Sequence, residues 1–207
     1  MKTSASFWDR TAAKYAGSPI KNVAAYDETI ARVRKYLQPG DRVLELGAGT
    51  GSTAILLSDA VSHITASDFS SEMIAIGREK ARTQGIANVD FVVAAPGSDA
   101  LDPGPYDVVM AFNLLHLIRD LPGMIAEARA LVRPGGYFIS KTTCLSGAGQ
   151  LLRAVIVPMQ LVGRAPYVKF LGATALERMI TGSGFEIVES GGIPKGARNH
   201  FVVARRI

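Results

Sequence analysis

Hydrophobic residues along this chain keep two rhythms, and the rhythms alternate. Short apolar runs predict strands over about 42–46, 63–67, 89–94, 107–112, 136–141, 185–189 and 200–205. Apolar residues recur at helical spacing over about 5–15, 21–37, 52–59, 71–84, 122–132, 148–162 and 173–183. Strand following helix in this way predicts an α/β fold, a mostly parallel sheet with helices on both faces. Breakers mark several boundaries. Gln38-Pro39-Gly40-Asp41 precedes the first strand and Arg133-Pro134-Gly135-Gly136 the fifth.

The end of the chain departs from the parallel pattern. Between Glu189 and His200 lie Ser190-Gly191-Gly192-Ile193-Pro194-Lys195-Gly196-Ala197-Arg198-Asn199. A parallel crossover needs roughly a dozen residues or more, usually helical, and this Gly/Pro-rich stretch cannot supply a helix. The last two strands are therefore expected to run antiparallel to each other.

The chemistry concentrates around the first two strands. The first runs into Val43-Leu44-Glu45-Leu46-Gly47-Ala48-Gly49-Thr50-Gly51, and Asp68 closes the second, Ile64-Thr65-Ala66-Ser67-Asp68. A strand, a glycine loop, a helix and an acid ending the next strand are the parts of a site for a ribose-bearing cofactor. A dinucleotide loop would place its third glycine at 52, where this chain has Ser52. With Leu44-Glu45-Leu46 before it, the loop resembles that of the class I S-adenosylmethionine-dependent methyltransferases. The resemblance extends over nearly the whole chain and is to the small-molecule type, similar to the ubiquinone and menaquinone biosynthesis methyltransferases. It implies a Rossmann-like doubly wound seven-stranded sheet of order 3-2-1-4-5-7-6 with strand 7 antiparallel. It also implies S-adenosylmethionine as cofactor, with S-adenosylhomocysteine as product.

Carried onto this chain, the resemblance places the cofactor against Gly47, Ala48, Gly49 and Gly51. At Gly47 and Gly49 a Cβ would collide with it. Asp68 offers two acceptor oxygens to the ribose hydroxyls. The alternative is a cap on the helix through Ser71-Glu72-Met73. Glu45 either anchors the methionine end or is a buried strand carboxylate bonded to local backbone. Phe69 and Met73 are placed to flank the adenine, with core packing as the alternative for Met73. After strand 3, relatives commonly carry Gly-Asp-Ala, whose acid reaches the adenine amino group. This chain reads Ala94-Ala95-Pro96, with no carboxylate at Ala95 and no N–H at Pro96. Ser98, Asp99, or backbone and apolar contacts around Ala94 and Ala95 are the substitutes on offer, and donor binding is expected to be real without being tight.

The segment after strand 4 is implied to face the transferred methyl. It reads Ala111-Phe112-Asn113-Leu114-Leu115-His116-Leu117-Ile118, so Asn113 and Leu114 join the cofactor set. His116 is the base candidate, its ordinary pKa suiting proton transfer near neutrality. The bland alternative is a helix-start histidine bonded to local backbone. His63 and His200 are expected away from the chemistry. Trp8, Ala12 and Tyr15 share one face of the first helix, which packs over the domain, caps the site, or does both.

The expected organisation is one methyltransferase domain over 1–207, with an N-terminal cap at about 1–38 and a lid insertion at about 142–175. The insertion includes the apolar run Leu151 to Val162 and Pro166-Tyr167-Val168-Lys169-Phe170. Its length and apolarity point to a lid for a hydrophobic or aromatic acceptor. Core packing and a dimer contact are the competing readings. Arg153, Arg164 and Lys169 are candidates to meet an acidic or phenolate group.

Composition narrows the partners. The chain has 207 residues, 48% of them hydrophobic and 20% charged, which argues for a packed core. The net charge of +5 is carried by scattered Lys and Arg, with Arg32, Arg34 and Lys35 on one helix, and reads as a solvated surface. No specific nucleic-acid partner is expected. The Asn/Asp-Pro-Pro-aromatic segment of base aminomethyltransferases is missing, and Thr143 rather than proline precedes Cys144. One cysteine, three scattered histidines and no paired ligand spacing exclude a disulfide pair and argue against a metal site. No stretch has signal-peptide or membrane-span character, so a cytoplasmic monomer or homodimer acting on a small-molecule acceptor is expected. The alternatives are a nicotinamide-dependent oxidoreductase and a non-catalytic S-adenosylmethionine-binding module.

Overall fold

The computed structural model describes residues 2–146, 158–160 and 165–207, with side chains from Ala5 onward. Its elements are α1 (Lys2–Ala16), α2 (Val23–Arg34), β1 (Arg42–Leu46), α3 (Ser52–Leu57), β2 (His63–Asp68), α4 (Ser71–Thr83), β3 (Val89–Val93), β4 (Tyr106–Phe112), α5 (Leu121–Leu131), β5 (Val132–Thr143), α6 (Ala173–Gly182), β6 (Phe185–Gly192) and β7 (Asn199–Arg206). They form a seven-stranded sheet in the order β3-β2-β1-β4-β5-β7-β6. The first five strands of that order run parallel, and β7 lies antiparallel to both β5 and β6. Most of the run expected to be helical at 148–162, with Arg153 and Arg164, lies outside the described residues.

Each face of the sheet carries its own core. Ile30 and Val33 of α2, Ala54, Ile55 and Leu57 of α3, and Ile74 and Ala81 of α4 cover one face, over Val43, Ile64, Val108, Met110 and Ile139. Leu121, Met124, Ile125 and Ala128 of α5 and Leu176 and Ile180 of α6 cover the other, over Leu44, Leu46, Val109 and Phe138. Both faces of the central strands are thus removed from water, which is why they read as continuous apolar runs rather than alternating ones. Side-chain caps fix three helix starts. Asn22, Ser70 and Asp120 accept from the N–H groups of Ala25, Met73 and Gly123.

Two strands differ from the expectation. The Arg133-Pro134-Gly135-Gly136 stretch does not precede β5 but belongs to it. Val132 pairs with Tyr106 and Tyr137 with Val108, so the residues between are an irregularity inside the strand. Long-range contacts hold it. Arg133 Nε donates to Asp107 Oδ1 at 2.5 Å, and Arg206 donates to the Val132 carbonyl. Gly136 passes so close to the Asp107 carbonyl that a Cβ would lie 2.6 Å from it. β6 also runs on through Gly191 and Gly192, which pair with Phe201 and His200. The basic residues of α2 are engaged as well, with Arg32 paired to Glu189 at 2.6 Å and Arg34 to Asp59 at 2.7 Å.

Candidate active site

Where β1 and β2 end side by side, backbone geometry assembles an acceptor cluster. The Ala48 N–H donates to the Ser67 carbonyl at 2.8 Å, turning the glycine loop back over the end of β2. Asp68 then accepts from the Gly49 N–H on one carboxylate oxygen and from the Ser70 N–H on the other, each at 2.9 Å. The Phe69 N–H adds a third backbone bond, and the carboxylate keeps acceptor capacity beyond these. Burial pushes the Asp68 carboxyl up, and the Ser70 and Gly49 N–H groups pull it back. The cap of α4 is Ser70, not Asp68, so the aspartate is spared that task.

The three glycines of the loop serve different ends. All have positive φ, at +66°, +56° and +69° for Gly47, Gly49 and Gly51. A Cβ on Gly51 would lie 2.3 Å from Cε1 of Phe91, and one on Gly77 of α4 would lie 2.4 Å from the same atom. Gly51 therefore seats a core ring rather than facing the cleft. A Cβ on Gly47 would strike Leu114 at 2.7 Å, whereas one on Gly49 would meet only Tyr15 at 3.9 Å. Gly49 is the position whose missing side chain leaves open space.

Glu45 is 2% exposed. It accepts a bond from the Ala54 N–H, while its Oε2 is buried with no partner. Burial pushes the carboxyl up to about 8; the Ala54 bond opposes this and the nearby Asp68 adds to it. The bond to the Ala54 N–H is the local backbone contact expected of a buried strand carboxyl.

Helix α1 lies over this cluster. Asp9 accepts from the Ser70 hydroxyl at 2.7 Å, tying α1 to the start of α4. Ala12 is buried, and the Trp8 and Tyr15 rings meet edge-on at 6.3 Å between centroids. Burial raises the Tyr15 hydroxyl, and Glu45 and Asp68 raise it further.

Beyond β4 the chain turns sharply. Asn113 has φ +52°, a conformation few residues other than glycine adopt, and its N–H donates to the Lys141 carbonyl at 2.7 Å. His116 follows in a short 3-10 turn, Leu115–Leu117. Its Nδ1 is buried and unpartnered, so the expected alternative of a bond to local backbone is not what fixes the ring. Burial holds its pKa below the ordinary value, which keeps the imidazole neutral at physiological pH.

A cleft of about 410 Å³ joins these parts. It brings together Tyr15, Gly47, Gly49, Asp68, Phe69, Met73, Asn113, Leu114 and His116, with Trp8, Phe112, Leu117, Thr143, Pro166 and Val168 completing the wall. Glu45, Ala48, Gly51 and Ala94 do not line it. Ala94 belongs to the core, and its N–H donates to the Asp68 carbonyl. Ala95 instead lines an adjoining cavity of about 370 Å³, whose walls include Phe69, Leu114, Leu117 and Met124. Ser98 and Asp99 line neither cavity. Thr143 was missed because it looks like a plain strand residue, although its place at the carboxyl end of β5 was a usable signal.

The other histidines are occupied. His63 sits at the opposite edge, 3.3 Å from Asp90. His200 lies opposite Thr142, because β7 runs antiparallel and so starts at the carboxyl edge. Glu177 holds its Nε2 at 2.8 Å, and it does not line the cleft. Among the described residues no group of three or more His, Cys, Asp and Glu side chains is set to hold a metal ion.

A cleft at the carboxyl ends of a 3-2-1-4-5-7-6 sheet, with a glycine loop on one wall and an acid beside it, defines a Rossmann-like cofactor site. Residues 20–190 match the methyltransferase domain family, and the chain belongs to that family. It is an S-adenosylmethionine-dependent methyltransferase. The ubiquinone biosynthesis O-methyltransferase of Burkholderia pseudomallei is 27% identical over 160 residues, covering 75% of this chain and 68% of the relative. Among solved structures, magnesium protoporphyrin IX methyltransferase from Synechocystis, with S-adenosylhomocysteine bound, superposes with a TM-score of 0.74 at 19% identity over 99% of this chain and 95% of its own. Geranyl diphosphate C-methyltransferase from Streptomyces coelicolor superposes with a TM-score of 0.74 at 13% identity, over 89% and 78%. The residues present suit the cofactor. The acceptor oxygens of Asp68 and the open space at Gly49 match a ligand carrying ribose hydroxyls.

Proposed function

We propose that the enzyme methylates a hydroxyl oxygen on a small apolar or aromatic metabolite. The observation that carries this reading is His116, a half-buried imidazole on the wall of the cleft, neutral at physiological pH and with its buried Nδ1 unpartnered. When bound, S-adenosylmethionine supplies a methyl group already activated by a positively charged sulfur. The chain then has to align the acceptor, exclude water and take up one proton. Asp68 and Gly49 would hold the ribose. His116 would accept the proton that the acceptor hydroxyl gives up as its oxygen gains the methyl. Phenols suit this arrangement, since an ordinary phenolic pKa near 10 is within reach of a neutral imidazole base.

Apolar walls at Trp8, Phe112, Leu117, Pro166 and Val168 favour a ring over a charged chain. The Lys169 N–H donates to the His116 carbonyl at 2.7 Å, so the segment carrying Pro166 and Val168 is tied to the histidine turn. Under this reading α1 is a cap and that segment part of a lid. The O-methyltransferase name of the Burkholderia relative supports the choice of oxygen. The test is incubation with methyl-labelled donor and a panel of phenols, catechols and amines. Label on a phenolic oxygen is the expected result. Label on amines alone would contradict the assignment.

A further inference from the structure

We propose that Glu127, on α5, recognises the exocyclic amino group of the donor's adenine, making this carboxylate the determinant of base specificity. The inference rests on the reading that the donor occupies the cleft described above. The adjoining cavity shares Trp8, Phe69, Leu114, Leu117 and Pro166 with that cleft, so one extended ligand can span both. Its walls are mostly apolar and include flat or branched side chains, as a purine ring requires, with Arg119, Asp120 and Glu127 as the charged exceptions. At this end an amino group needs an acceptor. The residues of the loop following β3 that line this cavity, Ala95 and Pro96, offer no side-chain acceptor.

Glu127 brings an acceptor to that same loop from another element. Gly97 has φ +75°, and a Cβ there would lie 2.5 Å from Oε1 and 3.0 Å from Oε2 of Glu127. The carboxylate thus rests where a side chain on residue 97 would otherwise stand, one residue beyond Pro96. Both Glu127 and Pro96 line the cavity. Among the described residues no hydrogen bond or ion pair occupies the Glu127 carboxylate, whereas Asp120, the other acid of the cavity, spends its Oδ1 on capping α5. A free carboxylate accepts from an amino N–H and is poorly matched to a 6-oxo purine, which presents a carbonyl oxygen there. Glu127 is exposed, so the expected discrimination is moderate.

The experiment is calorimetric titration of the wild-type protein, Glu127→Ala and Glu127→Gln with S-adenosylhomocysteine and with S-inosylhomocysteine, the deaminated analogue. Wild type is expected to prefer the adenine ligand by about tenfold or more, in line with loss of one charge-assisted hydrogen bond. Glu127→Ala is expected to bind both ligands within about threefold of each other. Glu127→Gln, which keeps one acceptor oxygen, should fall between. A preference unchanged in Glu127→Ala would overturn the role of Glu127 while leaving the donor assignment intact. Failure of wild type to bind S-adenosylhomocysteine at all would overturn the donor assignment itself. Unfolding midpoints of the variants, expected to match wild type, separate a structural effect from lost recognition.

Discussion

On the β1–β2 side of the cleft, Asp68 is fixed by backbone N–H groups close to it in the fold, from Gly49 and Ser70. On the β4–β5 side, His116 has an unpartnered ring nitrogen, and its wall is completed by Thr143, Pro166 and Val168 from far along the chain. The first arrangement is rigid before any ligand arrives and suits a constant ligand, the donor. The second leaves a proton-accepting atom unspent and draws its walls from segments that can differ without touching the donor site. Binding and chemistry are therefore expected to separate by side, and variants on each side should show it.

The largest effect is expected on the histidine side. His116→Ala should lower turnover by roughly 10²- to 10⁴-fold, the usual worth of a positioned base. In wild type, activity should fall in acid as the imidazole takes a proton. Because burial lowers its pKa, the inflection should lie below the ordinary histidine value. A variant that keeps the wild-type rate across pH would remove His116 from the chemistry.

The next effect sharpens the division within the glycine loop. Gly51→Ala forces a Cβ into the Phe91 ring at a left-handed backbone position, and should cost about 2–4 kcal/mol of stability. Gly49→Ala meets only open space and should cost about 1–2 kcal/mol, the left-handed strain alone, while weakening S-adenosylhomocysteine binding. Urea unfolding midpoints measure both. Equal losses would mean that the two glycines are not divided between core and cleft.

The smallest effect, measured per pH unit, concerns Glu45. Its carboxyl titrates at about 8 in the folded protein against an ordinary 4.5. Between those values the folded chain keeps a proton that the unfolded chain has lost, so stability falls as pH rises, by up to about 1.4 kcal/mol per unit. Urea unfolding of the ligand-free protein at pH 5, 6, 7 and 8 should show the decline, and Glu45→Gln should flatten it. Parallel slopes in the two proteins would place the titration elsewhere.

Much of this was legible in the residues. The order of the sheet followed from the family resemblance, and the reversed last strand from the Gly/Pro-rich connection before His200. The candidate acid and the glycine loop followed from strand, loop and spacing. What stayed hidden depended on contacts distant in sequence. Pro134-Gly135-Gly136 reads as a breaker, and only Asp107 and Arg206 make it part of β5. Gly51 and Gly49 look alike in a motif, and only the Phe91 ring tells them apart. Whether His116 is bonded or free depends on packing that no local pattern encodes. The acceptor offered by Glu127 lies on a helix whose sequence looks like an ordinary solvated face.

The most direct test of the division is calorimetric titration of Asp68→Ala and His116→Ala, side by side, with S-adenosylhomocysteine. Asp68→Ala should lose about 2–3 kcal/mol, roughly 30- to 150-fold in Kd, and His116→Ala should bind as wild type does. Equal loss in both, or none in Asp68→Ala, would contradict the assignment of donor binding to one side of the cleft and proton transfer to the other.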